Sequence, residues 1–290
     1  MYLDPTWRVL TIGDGDLSFS LSLADSFLLE SPLLLEPNAK GLAAKKGSVT
    51  ASVLDSEALL LAKYQDCAFN ELKQKGVAAY TGLDITDAST WADTLKGQFD
   101  ALIFQFPLIP SFTSKADFER AGGLSTNLLN RRLLRLYLKH GFDFFLDPDG
   151  AQLALISSKD LKPYSQWDLE CGIHLDLMTQ QKQAVQLLGQ CPFDQQRFTG
   201  YRIRNVDRDK QIRGTKGTTY YWSVKPAPEA LMAQLTAPTH SVGEPVSDRY
   251  CNWCHTGPFA SKEDRQGHLE SRRHQNMQSL DDDWRAFLQV

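Results

Sequence analysis

The stretch RVLTIGDGDLSFS, residues 8 to 20, joins an apolar strand to the start of a helix through two glycines and two aspartates. Glycine has no Cβ and tolerates positive φ, so Gly13 and Gly15 allow a tight turn that a ligand can approach closely. A G-x-G turn at the end of a strand therefore predicts a site for a nucleotide-type cofactor. An ordinary structural turn is the alternative interpretation.

Outward from this turn, the first 157 residues alternate short apolar strands with helical patterns. This alternation is typical of parallel βαβ units, with helices on both faces of one sheet. The predicted fold class is therefore α/β, a Rossmann-like sheet. Five strands are predicted in this region: WRVLTI, SVTASVLD, VAAYTGLD, FDALIFQFP and GAQLALIS. GYRIRNV and TTYYWSV are predicted as two further, antiparallel strands around a charged turn, and residues 165 to 190 show no clear pattern.

Composition divides the rest of the chain. Residues 31 to 47 contain proline, glycine and a lysine pair and are predicted as a loop, and residues 226 to 247 contain four prolines and little periodicity, which predicts a linker. We therefore expect a main domain over residues 1 to 225 and a small module over 248 to 280. An acidic tail, 281 to 290, is expected to follow.

The overall composition sets limits on the class of protein. The 290 residues carry a net charge of −4, so nucleic acid would have to bind through a local patch. Five cysteines are too few and too scattered for a disulfide framework, which favours a reducing compartment. No stretch approaches the roughly 20 apolar residues of a membrane span, and the amino terminus lacks the pattern of a secretory signal. We expect a cytoplasmic protein, or a nucleolar one in a eukaryotic source.

The first turn favours a positively charged cofactor. The third glycine of the dinucleotide fingerprint is missing, because Ser18 or Phe19 stands in its place. The carboxylates of Asp14 and Asp16 would also repel a diphosphate. S-adenosylmethionine carries a sulfonium and an ammonium but no phosphate, so it fits this turn better than a nicotinamide cofactor does.

Two further carboxylates follow the next predicted strands. Asp55 ends the second strand, where an acidic residue commonly binds ribose hydroxyls, and Asp84 follows the third strand, where it could meet the adenine edge. The predicted cofactor site therefore consists of six residues: Gly13, Asp14, Gly15, Asp16, Asp55 and Asp84.

The end of the fourth strand, FQFPLIP, is predicted to receive the substrate. Gln105 offers an amide donor and acceptor, Phe106 a stacking face, and Pro107 a fixed φ. Such a set can seat a planar base, although a plain exit from strand to loop is equally consistent with it. No general base is assigned, and Asp16 and His174 are the candidates considered.

These motifs together resemble the family of 25S ribosomal RNA uridine-N3 methyltransferase-like proteins. The resemblance spans residues 8 to about 224 and includes VLTIGDGDLSFS, TASVLDS with the following KY, FDALIFQFP, NRRLLRLYLKH, YSQWDL, GYRIR and TTYYW. It implies a class I methyltransferase sheet and S-adenosylmethionine-dependent methyl transfer to RNA. Members of the family usually have Asn-Phe-Pro-His where this chain has Gln105 to Leu108.

A basic stretch near the end of the main domain suggests contact with RNA. Between Arg197 and Lys216 there are seven basic residues and two acidic ones, flanked by tyrosines and a tryptophan. Basic and aromatic side chains together suit a phosphate backbone with unstacked bases, although a solvated hairpin is nearly as plausible. The predicted RNA-binding residues are Arg202, Arg204, Arg208, Lys210 and Arg213, which Arg131, Arg132 and Arg135 could extend.

The last motif predicts a zinc site. Cys251, Cys254, His268 and His274 have the spacing C-x2-C-x13-H-x5-H, which fits four tetrahedral ligands. Because the histidines are six positions apart, their helix must bend or loosen to bring both to one ion. The module resembles the matrin-type zinc finger, which implies binding to double-stranded RNA; a protein contact is the alternative.

The sequence thus predicts an S-adenosylmethionine-dependent RNA methyltransferase with Zn²⁺ in a small module. The predicted substrate is structured, most plausibly ribosomal, RNA, and the reaction is N-methylation of a base, with uridine N3 as one candidate. The competing hypothesis is a non-catalytic RNA-binding protein that keeps the cofactor fold as a scaffold.

Overall fold

The computed structural model describes residues 1–29, 47–205, 208–211, 216–238, 249–251, 253–254 and 256–289, with only the backbone for 27–29, 205 and 208–211. The loop predicted over 31 to 47 lies almost wholly outside these residues. None of the helices in the described ranges has the length and hydropathy needed to span a membrane.

Seven strands form one sheet in the order β3-β2-β1-β4-β5-β9-β6. The first five are parallel to one another, and β9 lies antiparallel between β5 and β6. This arrangement confirms the predicted Rossmann-like methyltransferase sheet. The strands are β1 Arg8–Ile12, β2 Ser48–Val53, β3 Ala79–Thr81, β4 Ala101–Gln105, β5 Leu153–Lys159, β6 Gln186–Phe193 and β9 Gly217–Ser223; β7 Arg204–Asn205 and β8 Arg208–Gln211 pair separately.

The predicted partner of the last strand was wrong. GYRIRNV does not join the sheet, and TTYYWSV pairs instead with β6, which begins in the region that showed no clear pattern. The register of β6 shifts between Leu187 and Gly189, and Pro192 lies within the strand. A bulge and a proline both disrupt the regular alternation by which strands are recognised.

Helices cover both faces of the sheet, as predicted. Successive strand residues alternate between two apolar cores: Val9 faces the core that contains α1, whereas Leu10 faces the core that contains α5. The helices are α1 Ser18–Leu29, α2 Glu57–Lys63, α3 Phe69–Gln74, α4 Lys115–Arg120, α5 Thr126–His140, α6 Glu229–Met232, α7 Lys262–Leu269 and α8 Arg272–Leu288. A single π-helical turn, Gly141–Phe145, extends α5.

The C-terminal module packs against the sheet domain, residues 1–225, through residues of the described ranges 249–251, 253–254 and 256–289. The residues predicted as an acidic tail, 281 to 290, belong to helix α8 as far as Leu288. Trp284 of α8 is fully buried and donates Nε1–H to the Gly172 carbonyl at 2.8 Å. Asp281 and Arg131, both buried, lie 3.5 Å apart across α8 and α5. These contacts fix α8 on the outside of α5.

Part of the predicted linker also packs on the sheet domain. Leu231 of α6 is fully buried, and Thr236 pairs with Gln190 of β6 through two backbone hydrogen bonds. Residues 239–248, the remainder of that segment, lie outside the described residues.

Candidate active site

A cavity of about 300 Å³ opens where β1, β2 and β4 end, and we refer to it as the crevice. In a parallel sheet these carboxyl ends meet at one edge, which is where ligands bind in such folds. All nine residues predicted for the cofactor and the substrate line the crevice: Gly13, Asp14, Gly15, Asp16, Asp55, Asp84, Gln105, Phe106 and Pro107.

The two glycines of the first turn have different requirements. Gly13 adopts φ +60°, and a Cβ at this position would lie 2.9 Å from the ring of Phe104. A Cβ at Gly15 would meet no atom within 4 Å. Contacts within the protein therefore account for the glycine at position 13 but not for the one at position 15. The backbone at Gly15 borders open space that a ligand can use.

Asp14 supports the start of α1 rather than facing a ligand. Its Oδ2 accepts the Ser20 backbone N–H at 2.6 Å and the Ser20 hydroxyl at a shorter distance. Burial raises the pKa of Asp14 to about 7, with the neighbouring Asp16 adding to the shift and the bonds from Ser20 opposing it. The carboxylate expected to attract a cationic ligand is thus already used within the protein.

Asp16 and the predicted RNA patch form one ion-pair cluster. Asp16 is buried and accepts hydrogen bonds from the Ser18 backbone N–H and from Arg204 Nε. Arg202 lies 3.6 Å from the same carboxylate, and both arginines also bind Asp66. Arg202 and Arg204 therefore border the crevice with their charges paired to Asp16 and Asp66.

The other basic residues predicted to bind RNA lie in different environments. Arg131 is fully buried against Asp281, and Arg135 donates to the carbonyls of Ile173 and Leu175, so neither extends a surface patch. Arg132 is exposed. The side chains of Arg208 and Lys210 and the whole of Arg213 lie outside the described residues.

Asp55 and Asp84 reach the crevice from the ends of β2 and β3. Asp55 accepts a hydrogen bond from Lys63 Nζ at 3.3 Å through one carboxylate oxygen. Its other oxygen forms no hydrogen bond within the described part of the chain. Asp84 Oδ1 accepts from both the backbone and the hydroxyl of Thr86 at 2.7 Å, so this carboxylate is oriented by the turn that follows it.

Gln105 lines the crevice with its side-chain amide unsatisfied. It is 9% exposed, yet neither Oε1 nor Nε2 has a partner among the described residues. A buried polar group without a partner costs about 1–3 kcal/mol, so such groups in native structures usually mark an unfilled ligand or water position. Because Gln105 also lines the crevice, its amide is a candidate to bind a molecule there.

Phe106 has a different role from the predicted one. Its φ is +46°, a strained value for a residue with a side chain, and its N–H donates to the Ser157 carbonyl at 2.9 Å. The ring is buried against Phe193, with centroids 5.1 Å apart. The ring is thus part of the core, and the structure does not support Phe106 as a free stacking face.

Among the described residues, no histidine lines the crevice. His174, considered as a base, is buried in the core on the α5 side of the sheet, with its ring 6.3 Å from that of Trp222. Sequence analysis gave no role to Lys63 or Tyr64, which do line the crevice. The KY pair that follows TASVLDS in the family resemblance was the signal that could have identified them.

The four predicted metal ligands meet in the C-terminal module. One ligand atom from each of Cys251, Cys254, His268 and His274 lies within 4.8 Å of the others. His274 Nδ1 is 3.3 Å from the sulfur of Cys251 and 3.8 Å from that of Cys254. The helix breaks between the histidines, because α7 ends at Leu269 and α8 begins after Ser271. This break confirms the expected bend.

The strand order and the crevice define a class I methyltransferase fold. A sequence profile of the BMT5-like family, described as rRNA (uridine-N3-)-methyltransferase BTM5-like, matches residues 10–205. The chain belongs to this family.

Two Arabidopsis thaliana proteins are similar in sequence to this chain. The heavy metal-associated isoprenylated plant protein 41 is 28% identical over 165 residues, which is 56% of this chain but only 27% of that protein. This chain therefore spans about a quarter of that relative. An uncharacterized protein is 26% identical over 198 residues, covering 68% of this chain and 80% of the relative.

Solved structures show a weaker likeness. The 30S ribosomal A1408 methyltransferase from an uncultured bacterium has 11% identity and a TM-score of 0.37, covering 77% of this chain and 95% of its own. The 16S rRNA (adenine(1408)-N(1))-methyltransferase from Catenulisporales acidiphilia has 12% identity and a TM-score of 0.38, covering 79% and 96%.

Proposed function

We propose that this protein is an S-adenosylmethionine-dependent RNA methyltransferase that methylates a base nitrogen of ribosomal RNA. The observation that carries the proposal is the crevice itself, where the unsatisfied Gln105 amide and the open carboxylate oxygen of Asp55 line one cavity. Membership of the BMT5-like family supports the same chemistry. Within this class, uridine N3 is the target that the family description favours.

The residues of the crevice fit S-adenosylmethionine. The free oxygen of Asp55 can accept from a ribose hydroxyl, and Asp84 stands where the third strand ends, beside the expected adenine position. The open space at Gly15 leaves room for the remainder of the molecule. When bound, S-adenosylmethionine supplies a methyl group on a positively charged sulfur. The fit rests on Asp55 and Gly15, because Asp14 and Asp16 are used within the protein.

Gln105 is proposed to orient the target base. Its Nε2 can donate to a carbonyl oxygen of uracil, which orients the ring and leaves the neighbouring N3 free to face the methyl group. Methyl transfer is an in-line displacement, in which the nucleophilic nitrogen must lie behind the methyl group. Holding the base in this line is how the protein gains rate. An amide cannot accept the proton of a ring N–H, so Gln105 positions the base and does not act as the general base. The proton that leaves the ring nitrogen as the methyl group is bound passes to solvent water.

Transfer of a tritiated methyl group from S-adenosylmethionine to ribosomal RNA tests this function. We expect Gln105→Ala to lower kcat/KM about 10- to 100-fold, because one or two hydrogen bonds that orient the base are lost. Gln105→Asn should retain more activity than Gln105→Ala because it keeps an amide. Affinity for S-adenosylmethionine should be unchanged in both variants. Absence of transfer by the wild-type protein, with RNA binding intact, would favour the non-catalytic RNA-binding alternative.

We also propose that the C-terminal module holds one Zn²⁺. The sulfur-to-nitrogen distances of 3.3 and 3.8 Å are close to those between ligands of a tetrahedral zinc ion. His268 Nε2 is buried with no hydrogen-bond partner in the described residues, as expected of a ligand atom. Zinc would stabilise a module whose own apolar core is small.

Metal analysis of the full chain tests this assignment. The purified protein should contain about one zinc per chain, and His268→Ala should lose most of it, since a tetrahedral site loses one of four ligands. His140→Ala, a histidine outside the module, is the control and should keep the metal. Equal zinc content in all three proteins would contradict the site.

A further inference from the structure

A second cavity, of about 310 Å³, lies between the sheet domain and the C-terminal module, and we call it the groove. One wall is formed by the end of β5, the segment after it and Tyr220 of β9, and the other by Trp253 and α8. We propose that the groove binds the RNA strand next to the target nucleotide, as a single strand with one phosphate at Lys159. This inference rests on the proposed RNA methyltransferase function.

Lys159 is the residue that indicates an anionic ligand. It ends β5 and is 7% exposed, and its ammonium forms no ion pair or hydrogen bond with the described residues. Its ammonium lies 5.7 Å from the ring centroid of Phe106 and 5.3 Å from that of Tyr164. Burial lowers the pKa of Lys159. The side chain is largely buried and its ammonium lines the groove with no anion beside it in the described residues, so a phosphate there could pair with it.

The neighbouring side chain carries a second unsatisfied group. Ser158 is 3% exposed and lines the groove, and its hydroxyl has no hydrogen-bond partner in the described part of the chain. A hydroxyl can donate to a phosphate oxygen or to a ribose oxygen. Two adjacent residues at the end of β5 therefore each carry a polar side-chain group without a partner among the described residues, and both line the groove.

The groove is adjacent to the crevice. Phe106 follows Gln105 and lines the crevice, while the Lys159 ammonium lies over the ring of the same Phe106. The strand pairing Gln105↔Ser157 brings the ends of β4 and β5 side by side. A strand with its target base at Gln105 would thus pass the ammonium of Lys159 with a neighbouring phosphate.

The remaining charges favour a single strand over a duplex. Lys162 and Arg273 line the groove, but so do three carboxylates, which bond within the protein. Asp160 accepts from Thr218, and Glu170 accepts from Gln190. Such a mixed surface suits one or two phosphates and polar base edges, whereas duplex RNA presents a continuous run of phosphates. Trp253 and Tyr220, one on each wall, add aromatic surface for an unstacked base.

Binding of a fluorescein-labelled single-stranded 12-nucleotide oligouridine RNA to the full chain, followed by fluorescence anisotropy, tests the groove. Lys159→Met should weaken binding about fivefold at 0.1 M salt and lower the salt slope by about 0.7, the values for one lost phosphate contact on a single strand. Lys162→Met, at an exposed position, provides a second variant should Lys159→Met fold poorly. Lys73→Met on α3 is the matched control and should bind like the wild type.

The outcomes separate the groove from the proposed function. Two results would contradict the proposal that the groove binds RNA. One is equal RNA affinity for Lys159→Met, Lys162→Met and Lys73→Met, and the other is no RNA binding by the wild type. Equal binding of a 12-base-pair duplex, or lysine-dependent binding of an acidic peptide in place of RNA, would also overturn it. Binding of S-adenosylmethionine is measured on the same samples. RNA binding that depends on Lys159 without any cofactor binding would contradict the methyltransferase proposal but leave the groove standing.

Discussion

Two buried side chains, Asp14 and His174, link the stability of this protein to pH in opposite directions. Burial raises the pKa of Asp14 to about 7 from 3.8, so the folded state holds this proton more tightly than the unfolded state does. The contribution of Asp14 to stability therefore falls as pH rises from about 4 to 7. Burial lowers the pKa of His174 to about 4 from 6.5. Its contribution is present above pH 6.5 and is lost as pH falls towards 4.

The contribution of His174 can be isolated by substitution. Arg135 also lowers its pKa, while Asp168 opposes the shift. We expect the free energy of unfolding of the wild type, relative to His174→Gln, to decrease by about 2 kcal/mol between pH 7 and pH 5. Urea unfolding of both proteins at several pH values measures this difference. A difference independent of pH would show that His174 titrates normally.

At the scale of elements, α8 joins the C-terminal module to the sheet domain through α5. Arg131 and Asp281 are both buried, and Asp281 also accepts from Trp253 Nε1 and Arg285 Nε. The residue before Arg131, Asn130, bonds both the N–H and the carbonyl of Ile109, which lines the crevice. Helix α5 thus contacts the C-terminal module on one side and the segment after β4, which lines the crevice, on the other.

Trp284 is expected to carry much of this attachment. Trp284→Ala should lower the free energy of unfolding by about 3–5 kcal/mol, because a fully buried indole and its hydrogen bond to Gly172 are lost. Ser279→Ala, at an exposed position on α8, is the control and should change stability by less than about 0.5 kcal/mol. Chemical denaturation measures both. Equal stability of the two variants would show that α8 is not anchored by Trp284.

The parallel part of the sheet could be predicted because its strands are short apolar runs, most of them separated by helical patterns or loops. The pairing of β6 with β9 could not, because the bulge at Gly189 and the proline at 192 hide the strand. The roles of Arg204 and Arg131 could not be predicted either. Their carboxylate partners are 138 and 150 residues away in sequence, and only tertiary packing brings them together.

For the molecule as a whole, the parallel strand order brings motifs that are distant in sequence together in one site. The nine predicted site residues come from four separate segments, and the adjacent ends of β1, β2, β3 and β4 bring them to one cavity. Sequence analysis identified the residue types but not their pairing. That Gln105 is unsatisfied while Asp14 and Asp16 are occupied is a property of the folded chain.

Isothermal titration of the full chain with S-adenosylmethionine tests most directly whether the crevice holds this cofactor. We expect the wild type to bind one molecule per chain and Asp55→Asn to bind about 10- to 100-fold more weakly, because a charged hydrogen bond to the ribose is lost. Asp149→Asn, an exposed substitution in the turn that precedes β5, should bind like the wild type. No binding by the wild type, or equal affinity in all three proteins, would contradict the account.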